Sequence, residues 1–516
     1  MKRLATATLT ADEKVRVLEA QVLSLQQQLD WFKQQLFGRK SEKRSPDTLV
    51  DQPLLNGFES VKPPARAVET ETIEYTRRKH RDERCQTDAG LRFDDTVPVE
   101  TIRCEPTELS GPNAGEYEVI SEKVTHRLAQ RSSYVVLKYV RPVLKHCPSE
   151  RLVSTAAPAG LWEGSIVDVS LVSGLLTDKF VYHMPLYRQH QHLQRDGITV
   201  ARESLTNWSH NGIRLLEPIY QAQLRNILRS RTLAIDETPI KAGRARKGRM
   251  HVGWYWPIYG DQDEVAFTYS PSRGHQHLLA TLPDFEGTLL SDGYGAYTKF
   301  VARCEAIEHA QCWSHSRREF IRTEKVEPEA VAEALEHIGV LYLVEADIRK
   351  QALGGEDKRA YRQQHSVARV DAFFAWCEAQ CQRMDLVPSN PLSKALKYVR
   401  RREDALRVYL NDPTVAIDTN HLERTLRAIP MGKKNWLFCW TEVGAQLVGI
   451  IQSLLTTCRL HGVHPQTYLI DVLQRVGQHP AKDIDHLTPR NWKRLFADNP
   501  LRSDVDRTEG VNSVAV

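Results

Sequence analysis

Three carboxylates stand in settings that suit phosphate chemistry. Asp236 ends the apolar run Leu-Ala-Ile, Asp292 ends Thr-Leu-Leu-Ser, and Glu423 lies in the basic stretch Leu-Glu-Arg-Thr-Leu-Arg. Divalent cations held by such groups polarise a phosphodiester and activate its attacker, so the pattern points to phosphoryl transfer on DNA or RNA. A single aspartate after a strand more often caps the next turn. Three acids with basic neighbours are harder to explain that way.

The elements that must position them follow from periodicity. Leu233-Ala-Ile-Asp, Met250-His-Val-Gly-Trp-Tyr-Trp, Val265-Ala-Phe-Thr-Tyr and Thr288-Leu-Leu-Ser-Asp are short, β-branched or aromatic runs separated by turn residues, with a helix at 275–282 before the last. Strand, strand, strand, helix, strand matches the first half of a ribonuclease-H-like fold. Carboxylates at the ends of neighbouring strands converge at one edge of an open sheet. Asp236 and Asp292 are therefore expected to share a metal, with Glu423 supplied by a helix beside the sheet after a helical insertion at about 322–410. All-oxygen ligation suits magnesium or manganese, as a pair of ions.

Upstream, Val15, Leu18, Val22, Leu25, Leu29, Phe32 and Leu36 recur at three- and four-residue steps. This is an a/d seam, so residues 1–44 read as a coiled-coil, leucine-zipper-like oligomerisation helix ending in a basic turn with Arg39, Lys40 and Lys43. Residues 45–75 have the Pro, Asp, Glu and Gly content of a linker. Residues 76–160 read as a small β-rich module with short strands around Tyr134-Val-Val-Leu-Lys-Tyr-Val. Its Cys85, Cys104 and Cys147 show no Cys-x-x-Cys pairing, so zinc is not expected there. Residues 161–230 are helical; Gly197 suits the turn of a helix-turn-helix whose Ser204, Thr206 and Asn207 would face a DNA groove, and a plain helical hairpin between two domains fits the same pattern. The catalytic domain follows at 231–440, a helical region at 441–500 and a disordered tail at 501–516. The fold class is α/β.

Composition narrows the function classes. A chain of 516 residues, 41% apolar and 26% charged, is too long for one compact core and ordinary for folded soluble protein. The net charge of +5 does not announce a nucleic-acid partner, so that argument rests on basic clusters at 39–44, 394–402 and 424–434. Nine cysteines, an odd number, without a secretory core argue against a disulfide framework. No uninterrupted apolar segment of membrane length stands out, so the expected place is the cytoplasm, beside the nucleoid.

The strings around the carboxylates resemble a family. Asp236-Glu-Thr-Pro, Ser291-Asp-Gly-Tyr-Gly-Ala-Tyr, Cys312-Trp-Ser-His-Ser-Arg-Arg-Glu-Phe and Asn420-His-Leu-Glu-Arg-Thr-Leu-Arg-Ala-Ile-Pro-Met-Gly-Lys-Lys-Asn-Trp-Leu-Phe look like transposases of the insertion-sequence-66 family. Phe37-Gly-Arg-Lys-Ser-Glu-Lys, Pro185-Leu-Tyr-Arg-Gln and His464-Pro-Gln-Thr-Tyr-Leu extend the likeness over nearly the whole chain. The resemblance implies a DDE enzyme with Asp236, Asp292 and Glu423 as catalytic, metal-binding residues. It implies cutting at the ends of a mobile element and in-line attack of the freed 3′-hydroxyl on target DNA. Small companion proteins of the same element are further partners it suggests.

Cys312 and His315 resemble a Cys-x-x-His signature that follows the second carboxylate in related DDE enzymes. A half zinc site, with Cys304 and His309 nearby, stays open; a supporting role behind the metal ligands is preferred. Arg317, Arg318, Arg424, Arg427, Lys433 and Lys434 are candidate DNA contacts. Trp436 reads as core or as a stacking platform. Relatives carry a cysteine-paired zinc motif in the small β-rich module, and this chain departs from that. Two other readings keep part of the pattern: a ribonuclease-H-like nuclease without strand transfer, and a catalytically inactive DNA-binding regulator.

Overall fold

The computed structural model describes residues 90–506, apart from 111, 112, 131, 132, 247 and 438. The zipper seam, the linker, the basic residues Arg39, Lys40 and Lys43, and Cys85 lie outside the described residues.

Strands β1 (Arg92–Phe93), β2 (Val99–Arg103), β3 (Tyr117–Gln130), β4 (Tyr134–His146) and β5 (Leu152–Ser154) come first. Short strands were expected over this stretch; β3 and β4 instead form one long antiparallel hairpin of 14 and 13 residues. Neither run contains a glycine or asparagine to break it. The other edge of β4 carries β2, parallel, and β5, antiparallel.

Helices α1 (Val169–Phe180), α2 (Leu186–Arg195), α3 (Arg202–Leu215) and α4 (Glu217–Ile227) follow, with strand β6 (Ile198–Thr199) between α2 and α3. Asp168 starts α1 by accepting a hydrogen bond from the Ser170 amide at 2.9 Å. Gly197 does make the turn, at φ +80°, and a side chain there would strike the Asp94 carboxylate. The helix-turn-helix expectation is corrected nonetheless. Six residues separate α2 from α3, and two of them pair as β6 with β1, so the tight turn of about 3–4 residues in that motif is absent here.

The central sheet contains β7 (Thr232–Ile235), β8 (Thr238–Arg246), β9 (Arg249–Tyr259), β10 (Val265–Ser270), β11 (Gly287–Ser291) and β12 (Ile307–Gln311), with helix α5 (Gln276–Thr281) before β11 and α6 (Gly295–Val301) before β12. Its order is β10-β9-β7-β11-β12, with β8 paired to β9. Strands β7, β9 and β10 alternate in direction, whereas β7, β11 and β12 run parallel. Strand β8 is hard to see in the sequence because Pro239, Lys241, Arg244 and Arg246 mask its alternation of buried Thr238, Ile240 and Ala242.

The expected helical insertion is present. Helix α7 (Trp313–Ile321) leads into α8 (Pro328–Lys350), α9 (Gly355–His365), α10 (Val367–Cys381), α11 (Pro391–Arg400) and α12 (Glu403–Asn411). Trp313 is buried at its root, its ring tilted against Phe373 and its indole nitrogen donating to the Leu406 carbonyl at 2.9 Å. The chain then returns through α13 (Asn420–Leu426) and α14 (Ala428–Trp436).

Helices α15 (Glu442–Leu460), α16 (Pro465–Arg475) and α17 (Pro489–Leu495) complete the described fold. By length and composition α15 could cross a membrane, which the sequence reading did not anticipate. It is a core helix here, with 78% of its apolar window buried. It lies on the edge strand β10, where Ser453 and Thr457 hydroxyls accept from the Phe267 and Val265 amides at 2.8 and 3.2 Å. Those amides would otherwise be an open pairing edge. Gly449 permits the approach, since a Cβ would come within 2.5 Å of the Phe267 carbonyl. The tail expected to be disordered from 501 is ordered at its start: Val505 is buried against Val135, Leu137 and Tyr139, and Tyr139 donates to Asp504 at 2.8 Å.

Candidate active site

Parallel pairing of β7 and β11 sets Leu290 opposite Ala234, and Asp292 and Asp236 each come two residues later. Buried apolar residues fix both strands in the sheet, so both aspartates emerge at the same edge. Each carboxylate is oriented by an amide just downstream. Asp236 Oδ1 accepts from the Glu237 nitrogen at 2.7 Å, and Asp292 Oδ1 from the Tyr294 nitrogen at 2.8 Å. Glu423 arrives on α13. Burial, followed by the charges of Glu237, Asp292 and Glu423, pushes the pKa of Asp236 up to about 7 against the pull of the Glu237 amide. The three acids chosen from sequence therefore share one electrostatic neighbourhood.

Glu423 faces Arg318 and His315. Its Oε1 accepts from Arg318 Nη2 and lies 3.8 Å from His315 Nε2. Arg318 also donates from Nη1 to His315 Nε2 at 3.1 Å, which makes that nitrogen an acceptor and leaves the ring proton on Nδ1. Burial, and then Arg318, lower the His315 pKa, so the ring stays neutral although Asp292 and Glu423 are near. Among the described residues, no three His, Cys, Asp or Glu side chains stand close enough to hold a metal ion. Arg318 was expected on phosphate; here it neutralises the acid it reaches.

Cys312 ties the carboxylate-bearing segments together. Its amide donates to the Ser291 carbonyl at 3.1 Å, beside Asp292, and its buried Sγ accepts from both the amide and the hydroxyl of Thr419 at 3.3 Å. Thr419 in turn accepts the Glu423 amide at 2.9 Å. Burial raises the Cys312 thiol pKa, which suits an uncharged structural group better than a metal thiolate. His309 is bonded to Ser291 Oγ at 2.8 Å instead of meeting Cys304. Cys312→Ser is expected to keep the site working, and Cys312→Ala to reduce turnover about tenfold with little change in substrate affinity, read from initial rates.

Sequence reasoning missed Glu237. Its side chain is 2% exposed, accepts from Arg273 through Nε at 2.9 Å and through Nη2, and accepts from the Tyr297 hydroxyl. The Arg273 guanidinium lies 3.8 Å from the Tyr294 ring centroid, on the loop whose amide holds Asp292. This network links the two aspartate loops. The only signal for it in sequence is the second acid of Asp236-Glu237; nothing marked Arg273. Gly293 is equally required, because a Cβ would fall 2.1 Å from the Tyr398 hydroxyl. Gly293→Ala is expected to cost roughly 1–3 kcal/mol in chemical denaturation, the usual penalty of overpacking.

The remaining basic candidates divide. Arg317, Arg424, Arg427 and Lys434 are exposed, while Lys433 is half-buried and donates to the Pro239 carbonyl at 2.9 Å. Trp436 is half-buried and folds back over Gly432, whose Cβ would meet its indole nitrogen at 2.6 Å.

Residues 164–447 match the family described as "Transposase IS66 family", residues 453–490 match "IS66 C-terminal element", and residues 24–102 match "Transposase C of IS166 homeodomain". Three similar proteins come from Sinorhizobium fredii, each described as uncharacterized. The protein y4jD is 29% identical over 66% of this chain and 69% of its own, and y4hP is 27% identical over 78% and 77%. The third, y4qI, is 29% identical over 68% of each chain.

Proposed function

The chain belongs to the IS66 family of transposases, and on that premise we propose that it binds the ends of a mobile element and carries out metal-dependent DNA cleavage and strand transfer with Asp236, Asp292 and Glu423. The observation that carries this reading is the pair of aspartates ending adjacent, in-register parallel strands, with Glu423 acting electrostatically on the first. The strand order β10-β9-β7-β11-β12, antiparallel through the first three and parallel through the last three, supports a ribonuclease-H-like core.

The donor set fits a hard divalent cation. It is all oxygen, and the crowding of acids that drives Asp236 toward its neutral form is what a cation would offset. Asp236, Asp292 and Glu423 would hold magnesium or manganese, and Glu423 must leave Arg318 to do so. Bound there, the ions would polarise the scissile phosphate, activate the attacking oxygen and stabilise the leaving one.

The chain's own residues do the rest. Glu237, fixed by Arg273 and Tyr297, holds the Asp236 loop, and Cys312 holds the Asp292 and Glu423 segments at a set separation. Released from Glu423, Arg318 has a fork of donors for a phosphate oxygen. Neutral His315 beside it carries its proton on Nδ1 and accepts from Arg318 through Nε2. The exposed Arg317, Arg427 and Lys434 bind DNA phosphates without reading sequence. A homo-oligomer brings two ends together, with companion proteins of the element as further partners.

The test combines purified protein, labelled element ends, a target plasmid and magnesium. Joined product supports the proposal; cleavage without joining would leave a nuclease, and shifted but uncut DNA a regulator.

A further inference from the structure

The helical insertion and the segment 416–424 line a half-open cavity of about 660 Å³, inside the range of roughly 300–1,000 Å³ that small-ligand sites occupy. Arg349 on α8, Lys358 on α9 and Arg424 on α13 line it, with Tyr342, Glu345 and Asp418. Arg424 directly follows Glu423 on the same helix, so the cavity and the catalytic carboxylate lie on two faces of one short element.

The charges in this cavity are unbalanced. Glu345 is committed to Arg362, which it binds with both oxygens at 2.7 and 2.9 Å, and Asp418 accepts from the Asn420 amide at 3.0 Å. Among the described residues, Arg349, Lys358 and Arg424 make no ion pair. Lys358 is half-buried, and burial followed by the charge of Arg362 lowers its pKa against the pull of Glu345 and Asp412. With Glu345 committed to Arg362, three cations face the single carboxylate of Asp418, and crowding them there costs free energy that a bound anion returns. Tyr342 adds an aromatic wall, and its buried hydroxyl lies near Asp418 without a well-formed hydrogen bond. Cations plus an aromatic face suit a phosphate joined to a base.

We propose that this cavity binds one nucleotide unit of a DNA strand, with the phosphate among Arg349, Lys358 and Arg424 and the base against Tyr342. The proposal rests on the DNA-processing reading above and extends it to a second phosphate site, behind the helix that carries Glu423. It gives the insertion a role in holding the strand.

Binding of a fluorescent single-stranded oligonucleotide to the full chain, followed by anisotropy in EDTA over a salt series, tests this without requiring cleavage. Lys358→Gln and Arg349→Gln are each expected to weaken binding and to flatten the slope of log K against log salt by about 0.7, the value for one lost phosphate contact on a single strand. Lys358→Arg should restore the slope. Lys350→Gln, exposed on the same helix end and outside the cavity, should leave it unchanged. Slopes equal to wild type in both glutamine variants, with unaltered melting and an enzyme that still cuts DNA, would overturn the site and spare the proposed chemistry. A melting shift produced by inorganic phosphate, and lost in these variants while oligonucleotide affinity stays unaltered, would also overturn it by assigning the cavity to a free anion.

Discussion

Replacing Asp236 by asparagine is expected to abolish cleavage and joining, by about a thousandfold or more, while making the metal-free protein more stable above neutral pH. The two effects have one cause. Burial and three neighbouring acids raise the folded-state pKa of Asp236 to about 7, far above that of an unfolded aspartate. Between roughly pH 4 and 7 the folded chain therefore keeps a proton that the unfolded chain releases. Stability falls as pH rises through that window and levels off above it, a loss on the order of a few kcal/mol for a half-buried group. Asparagine cannot ionise, so the variant should lack this slope. Urea midpoints measured in EDTA from pH 5 to 8 check it. Parallel pH profiles for wild type and variant would mean that the acids do not crowd one another.

Arg362→Ala is expected to be the most destabilising single change in the insertion, by about 3–5 kcal/mol or to the point of failed folding. Arg362 is fully buried; it grips Glu345 with two hydrogen bonds and donates from Nη1 to the carbonyls of Tyr409, Asp412 and Val415 at 2.6, 3.1 and 3.0 Å. Truncation leaves a buried carboxylate without its partner and three carbonyls without a donor. Those carbonyls belong to the end of α12 and the loop leading to Glu423, so the insertion and the catalytic helix are coupled through one guanidinium. The double change Arg362→Met with Glu345→Met removes both charges and should recover most of the loss in urea denaturation. Equal midpoints for the single and double variants would show that the loss is one of packing alone.

How far the sequence reaches depends on whether the cause is local. Asp236 and Asp292 were legible because an apolar strand followed by an acid is a local pattern, and parallel pairing then aligned them. Glu423 was legible from its helix and its basic surroundings. The insertion was legible from length and periodicity. Strand β8 was hidden by charged residues that face solvent at a sheet end. Arg362 sits in Gly-Glu-Asp-Lys-Arg-Ala-Tyr-Arg-Gln-Gln-His, which reads as a solvated helix; its partners are distant in sequence and only the fold reveals them. The pairing of Arg318 with Glu423 was hidden for the same reason, since the two lie 105 residues apart. The start of the tail looked disordered because its one apolar anchor, Val505, has no periodic companions.

The claim that Asp236, Asp292 and Glu423 converge on a shared cation is tested most directly by anomalous scattering from manganese in crystals of the protein bound to a DNA end. Manganese is expected between the three carboxylates, with Glu423 turned away from Arg318. A protein that cuts DNA in manganese, yet shows its metal peak elsewhere and Glu423 still paired with Arg318, would contradict it.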